Sequence, residues 1–129
     1  ERNMTRLLVI GANADRIHSN GGGSAVIKAL HEVSPLLGLN GELGGNVEIE
    51  YALGYDAKQI NQDESWQEES LENSKGSDAK DVKRARELRD EAVAKARAYA
   101  AAGDPVVFIV GLDHEHDLEG RDRTDMRLP

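Results

Sequence analysis

Apolar residues crowd into two short runs and recur at helical or alternating spacing in three other places. Leu7-Leu8-Val9-Ile10, opened by Arg6 and closed by Gly11, reads as a strand covered on both faces, as in a parallel sheet. Val106-Val107-Phe108-Ile109-Val110, introduced by Pro105 and closed by Gly111, reads the same way and is expected at the centre of the sheet. Between them Val47, Ile49 and Tyr51 alternate with Glu48 and Glu50, the period of a strand with one wet face at a sheet edge. Ser34 is placed to cap a short helix with Pro35 in its first turn; Leu36, Leu37, Leu39 and Leu43 give it an apolar side, and Gly44-Gly45 stops it. A longer helix, capped by Asp78 or Asp81 and ended by Gly103, carries Val82, Ala85, Leu88, Ala92, Val93, Ala96, Tyr99 and Ala100 at steps of mostly three or four.

Strand, helix, strand, helix, strand in that order implies right-handed crossovers and a parallel sheet with helices on its faces. The expected fold class is α/β: part of a three-layer, parallel-sheet α/β sandwich occupying residues 1–129 as a single domain. The polar stretch at about 57–80, anchored by Trp66, is expected to be a surface excursion. The loops at 11–24, 52–56 and 111–123 then open onto one edge of the sheet, where ligands of such folds bind.

Composition narrows the function classes. With 24 acidic against 16 basic residues the formal charge is −8, which repels nucleic acid and anionic membrane surfaces, and no basic patch offsets it. The absence of cysteine excludes disulfides and thiolate metal sites. No apolar run approaches the roughly 20 residues that span a bilayer, and Glu1-Arg2-Asn3-Met4 has no signal-like core. A soluble protein is expected, with cytoplasm, periplasm and exterior all open. Starting at Glu1 and stopping at Leu128-Pro129, the chain reads as a piece of something longer. A homo-oligomer stays open.

The candidate chemistry lies directly after the second apolar run. If that segment begins extended, Asp113, Glu115, Asp117 and Glu119 face one way, with His114, His116 and Leu118 facing the other. Crowded carboxylates raise one another's pKa, and a carboxyl kept protonated near neutrality can act as a general acid. The plain alternative is a solvated acidic loop with Asp122 and Arg123 in a structural ion pair, and the residues alone leave both open. Gly21-Gly22-Gly23-Ser24 lacks the lysine and glycine spacing of a nucleotide loop, so an active-site or interface loop is the better reading. His114 and His116 have no further histidine or cysteine at ligand spacing, and no metal or cofactor is expected. For His18 and His31 a surface position is expected. Trp66 is read as an anchor before a sugar-stacking platform.

Four motifs occur in order: Gly11-Ala12-Asn13-Ala14-Asp15, Gly21-Gly22-Gly23-Ser24-Ala25, Ser34-Pro35-Leu36-Leu37-Gly38-Leu39, and the run from Gly111-Leu112-Asp113 to Glu119-Gly120-Arg121-Asp122-Arg123 closing in Leu128-Pro129. Together they resemble the C-terminal α/β sandwich domain of family 3 glycoside hydrolases of the β-glucosidase type, over nearly the whole chain. The resemblance implies retaining hydrolysis of β-linked glucosides or short oligosaccharides. In that scheme a separate (β/α) barrel domain supplies an aspartate nucleophile and this domain supplies the acid/base, here Glu119. Glu115, Asp117, Arg121 and Ser24 are the expected substrate contacts. Arg121 and Asp117 stand where many relatives carry an aromatic residue and a glutamate. Without the barrel, this chain alone is expected not to turn over substrate. Two rivals are a non-catalytic carbohydrate-binding or interface module and a nucleotide- or metal-binding α/β domain.

Overall fold

In a computed structural model, which describes residues 3–17, 27–55 and 79–111, the first apolar run is strand β1, Arg6–Ile10. It lies in the middle of a three-stranded sheet, between β2 (Glu48–Ala52) and β3 (Val106–Phe108), and both pairings are parallel. Leu8 and Val9 are fully buried, as continuous apolar sequence in a strand covered on both faces requires. Burial of each such side chain favours folding by about 1.5–3 kcal/mol.

Alternation along the strands sorts the core into two halves. Leu8, Ile10 and Ala52 pack with Ala92, Ala96 and Tyr99 on one face, and Val106 joins them. On the other, Leu7 and Val9 meet Leu36, Leu39 and Leu43, with Ile49, Tyr51, Val107 and Ile109 around them. The helices that supply these partners are α1 (Pro35–Leu43) and α2 (Ala79–Ala102), so the sheet is sandwiched between them and the α/β reading holds.

Each helix is delimited by local chemistry. The Ser34 hydroxyl accepts from the Leu37 N–H at 3.2 Å, Pro35 occupies the first turn, and α1 ends at Gly44. At the end of α2 the Gly103 N–H donates to the Ala100 carbonyl and the Asp104 N–H to that of Tyr99, the paired bonds of a Schellman cap, with Gly103 in the left-handed region at φ 79°. Of the stripe expected on α2, Leu88, Ala92 and Tyr99 are buried and Ala96 is partly so; Ala85, Val93 and Ala100 are exposed.

Two expectations change. β3, expected at the centre, is an edge strand among the described residues, and Phe108 is 60% exposed. An apolar run identifies a strand with covered faces, yet it does not say how many neighbours pair with it. The side of β2 expected to be wet is instead roofed by α2. Glu50 accepts from the Tyr99 hydroxyl at 2.9 Å and pairs with Lys95 at 3.0 Å, and Lys95 also meets Glu91. Arg6 pairs with Asp104 and lies over the Tyr99 ring, 4.8 Å from its centroid. No described helix is long and apolar enough to cross a membrane.

Candidate active site

The chain leaves β1 towards β2 on one side and returns to place β3 on the other, so the order β2-β1-β3 puts the reversal of strand order between the C-terminal ends of β1 and β3. Parallel sheets bind their ligands at such reversals. Gly11, the first residue after β1, has φ 130°, a backbone region open to glycine, and a Cβ there would drive into the Ile109 carbonyl. Main chain from β1 and β3 thus meets at closer range than any side chain permits.

Gly11 is also held from three directions. Its N–H donates to the Ala52 carbonyl at 3.1 Å, and its own carbonyl accepts from the Ala14 N–H at 3.0 Å and from the Tyr51 hydroxyl at 3.1 Å. Burial pushes the Tyr51 phenol above its ordinary pKa, and the charge of Asp15 adds to the shift, so the hydroxyl keeps its proton and goes on donating.

After Gly11 the chain turns into a short 3-10 helix, Ala12–Asp15. Asn13, on that turn, is only 9% exposed, and its Nδ2 donates to the Gly111 carbonyl at 3.1 Å, from one loop to the other. Its Oδ1 has no partner. A buried acceptor left in that state costs about 1–3 kcal/mol. Among the described residues the buried side-chain polar atoms without a partner are this oxygen and the Tyr55 hydroxyl, and both follow C-terminal strand ends. Each such group calls for its own explanation, a strained contact, a bound water or ion, or a catalytic role.

The residues expected to carry the chemistry, Glu119 with Glu115, Asp117, Arg121 and Ser24, lie outside the described residues, as do His18, His114, His116 and Trp66. Gly111, from which the acidic segment departs in sequence, is described, and its carbonyl is the one that accepts from Asn13. His31 is exposed, as expected for a surface residue. Sequence reasoning placed Asn13 and Tyr55 on loops at this edge but singled out neither of them, nor Tyr51, as a site residue. One signal was available: an amide two residues beyond the glycine that closes a buried strand, in a chain whose other buried strand also closes in glycine.

Compared with known families, residues 1–129 match the profile of the glycosyl hydrolase family 3 C-terminal domain. No curated protein and no solved structure matches the chain.

Proposed function

The chain belongs to the family of glycosyl hydrolase family 3 C-terminal domains, and from that premise we propose that it is the acid/base-bearing domain of a retaining hydrolase of β-linked glucosides or short oligosaccharides. The observation that carries this is the family match over the entire chain, including Glu119-Gly120-Arg121-Asp122-Arg123. The reversal of strand order beside β3 supports it, because the acidic segment follows that strand directly in sequence.

In this reading residues 1–129 form one α/β unit that works against a (β/α) barrel domain. The Glu119 carboxyl donates its proton to the glycosidic oxygen as the bond to the anomeric carbon breaks, and an aspartate of the barrel bonds to that carbon. The Glu119 carboxylate then takes a proton from water, whose oxygen attacks the same carbon and releases the sugar with its configuration retained. Asp113, Glu115 and Asp117 lie close in sequence, and their negative charge favours the protonated form of Glu119 before the first step. Glu115, Asp117, Arg121 and Ser24 supply hydrogen-bonding groups to the sugar and its leaving group.

The test uses the chain together with its barrel domain. Glu119→Gln is expected to lower turnover of an aryl β-glucoside by about 10²- to 10⁴-fold. Azide added to Glu119→Ala is expected to restore breakdown of the glycosyl-enzyme and yield a glucosyl azide. Turnover unchanged by both substitutions would identify a binding or interface module instead.

A further inference from the structure

The ladder between β1 and β3 is carried past its last regular rung by a side chain. The Leu8 N–H meets the Pro105 carbonyl, and the Ile10 carbonyl meets the Ile109 N–H. Continued in that register, the N–H of residue 14 would meet the carbonyl of Gly111. It does not, because β1 has already turned and the Ala14 N–H donates to the Gly11 carbonyl. The Asn13 amide takes that place, with Nδ2 donating to the Gly111 carbonyl at 3.1 Å. A packing role alone does not explain an amide here. Asn13 is 9% exposed and leaves Oδ1 without a partner among the described residues, a position where an apolar side chain of similar size would bury itself without that penalty.

We propose that Asn13 is a positioning residue for the acid/base: by holding the carbonyl of Gly111 it fixes the point from which the segment bearing Glu119 sets out. This rests on the role proposed for Glu119. Gly111 is the last described residue before that segment, and its glycine backbone, at φ 155°, does not by itself restrict the direction the chain takes. The bond from Asn13 is a side-chain restraint acting on it from the neighbouring loop. Small displacements of a group that must deliver a proton in line are costly to rate, even where binding is intact.

The experiment compares two substrates in the chain with its barrel domain. Phenyl β-glucoside needs its leaving oxygen protonated, whereas dinitrophenyl β-glucoside departs with little help. Asn13→Ala removes the amide. Asn13→Asp keeps its size but sets an acceptor against the Gly111 carbonyl in place of the donor. Both variants are expected to lose about tenfold or more in kcat/KM on the phenyl substrate and less than about threefold on the dinitrophenyl one. A merely structural role would reduce the amount of folded enzyme and lower both substrates alike.

Equal losses on the two substrates, or no loss on either, would overturn the assignment of Asn13. Glu119→Gln, measured alongside, separates this from the larger reading. If it splits the substrates and the Asn13 variants do not, Asn13 alone is misassigned. If Glu119→Gln fails to split them, the role of Glu119 falls and that of Asn13 with it.

Discussion

The two ends of this small sheet are built on opposite terms. Towards the start of β1 and under α2, charged groups answer one another: Arg6 with Asp104 and Tyr99, Glu50 with Tyr99 and Lys95, and Lys95 with Glu91. At the C-terminal ends of β1 and β2, by contrast, two buried polar atoms have no partner among the described residues, and the backbone at Gly11 adopts a conformation that other residues avoid. Among the described residues, then, polar groups are answered at one end, while two buried ones are left over at the other. The same sheet joins them, so each end can be perturbed while the other serves as the reference.

The largest effect is expected at the strained end. Gly11→Ala places a methyl group against the Ile109 carbonyl and forces φ 130° on an L-residue. Backbone strain and overpacking together are expected to cost about 3 kcal/mol or more, read as a lower urea midpoint at unchanged m-value. Tyr51→Phe keeps the ring and removes only the bond to the Gly11 carbonyl, with an expected loss of about 1 kcal/mol in the same measurement.

The smallest effect belongs to the well-paired end. Glu50 and Lys95 are about a third exposed, and solvent weakens their attraction, so Glu50→Gln is expected to cost less than about 1 kcal/mol near neutrality. Its signature is in the pH dependence. The bond from Lys95, and after it that from Tyr99, hold the Glu50 carboxyl below its ordinary pKa. A depressed folded pKa gives stability that is present above the unfolded pKa, about 4.3, and is lost as pH falls through the folded value. Thermal unfolding followed from neutral to acidic pH should therefore fall less steeply in Glu50→Gln than in the parent below the ordinary carboxylate range. Identical slopes would mean that Glu50 gains nothing from its partners.

Much of the fold was legible because its signals are local. Leu7-Leu8-Val9-Ile10 needed only its own composition to be read as a covered strand, and α1 was bounded by Ser34, Pro35 and Gly44, each acting on neighbours a few residues away. What was not legible depends on residues far apart in the chain. Glu48 and Glu50 look alike as wet positions, and the difference lies in Lys95 and Tyr99, which a helix much later in the sequence brings over Glu50. Asn13 looked like a loop former, because its partner is a main-chain carbonyl at Gly111 that no side-chain pattern announces. The edge position of β3 was hidden for the same reason, since strand order is a property of the whole chain. The edge onto which the strand-end loops open could be anticipated from the strand-helix alternation; the bonds made there by Asn13 and Tyr51 could not.

The outer side of β3 carries a consequence for the molecule by itself. Among the described residues no strand pairs with it; Phe108 and Val110 stand exposed, and the guards common on natural sheet margins, lysine above all, are missing from Val106–Phe108. Pro105 and Ile109 turn their backbone groups towards β1, so the outward row is that of Val106, Phe108 and Val110, each with an N–H to offer. In water a margin of that kind is a template: an extended segment that reaches it gains a ready set of hydrogen bonds and an aromatic side chain to cover.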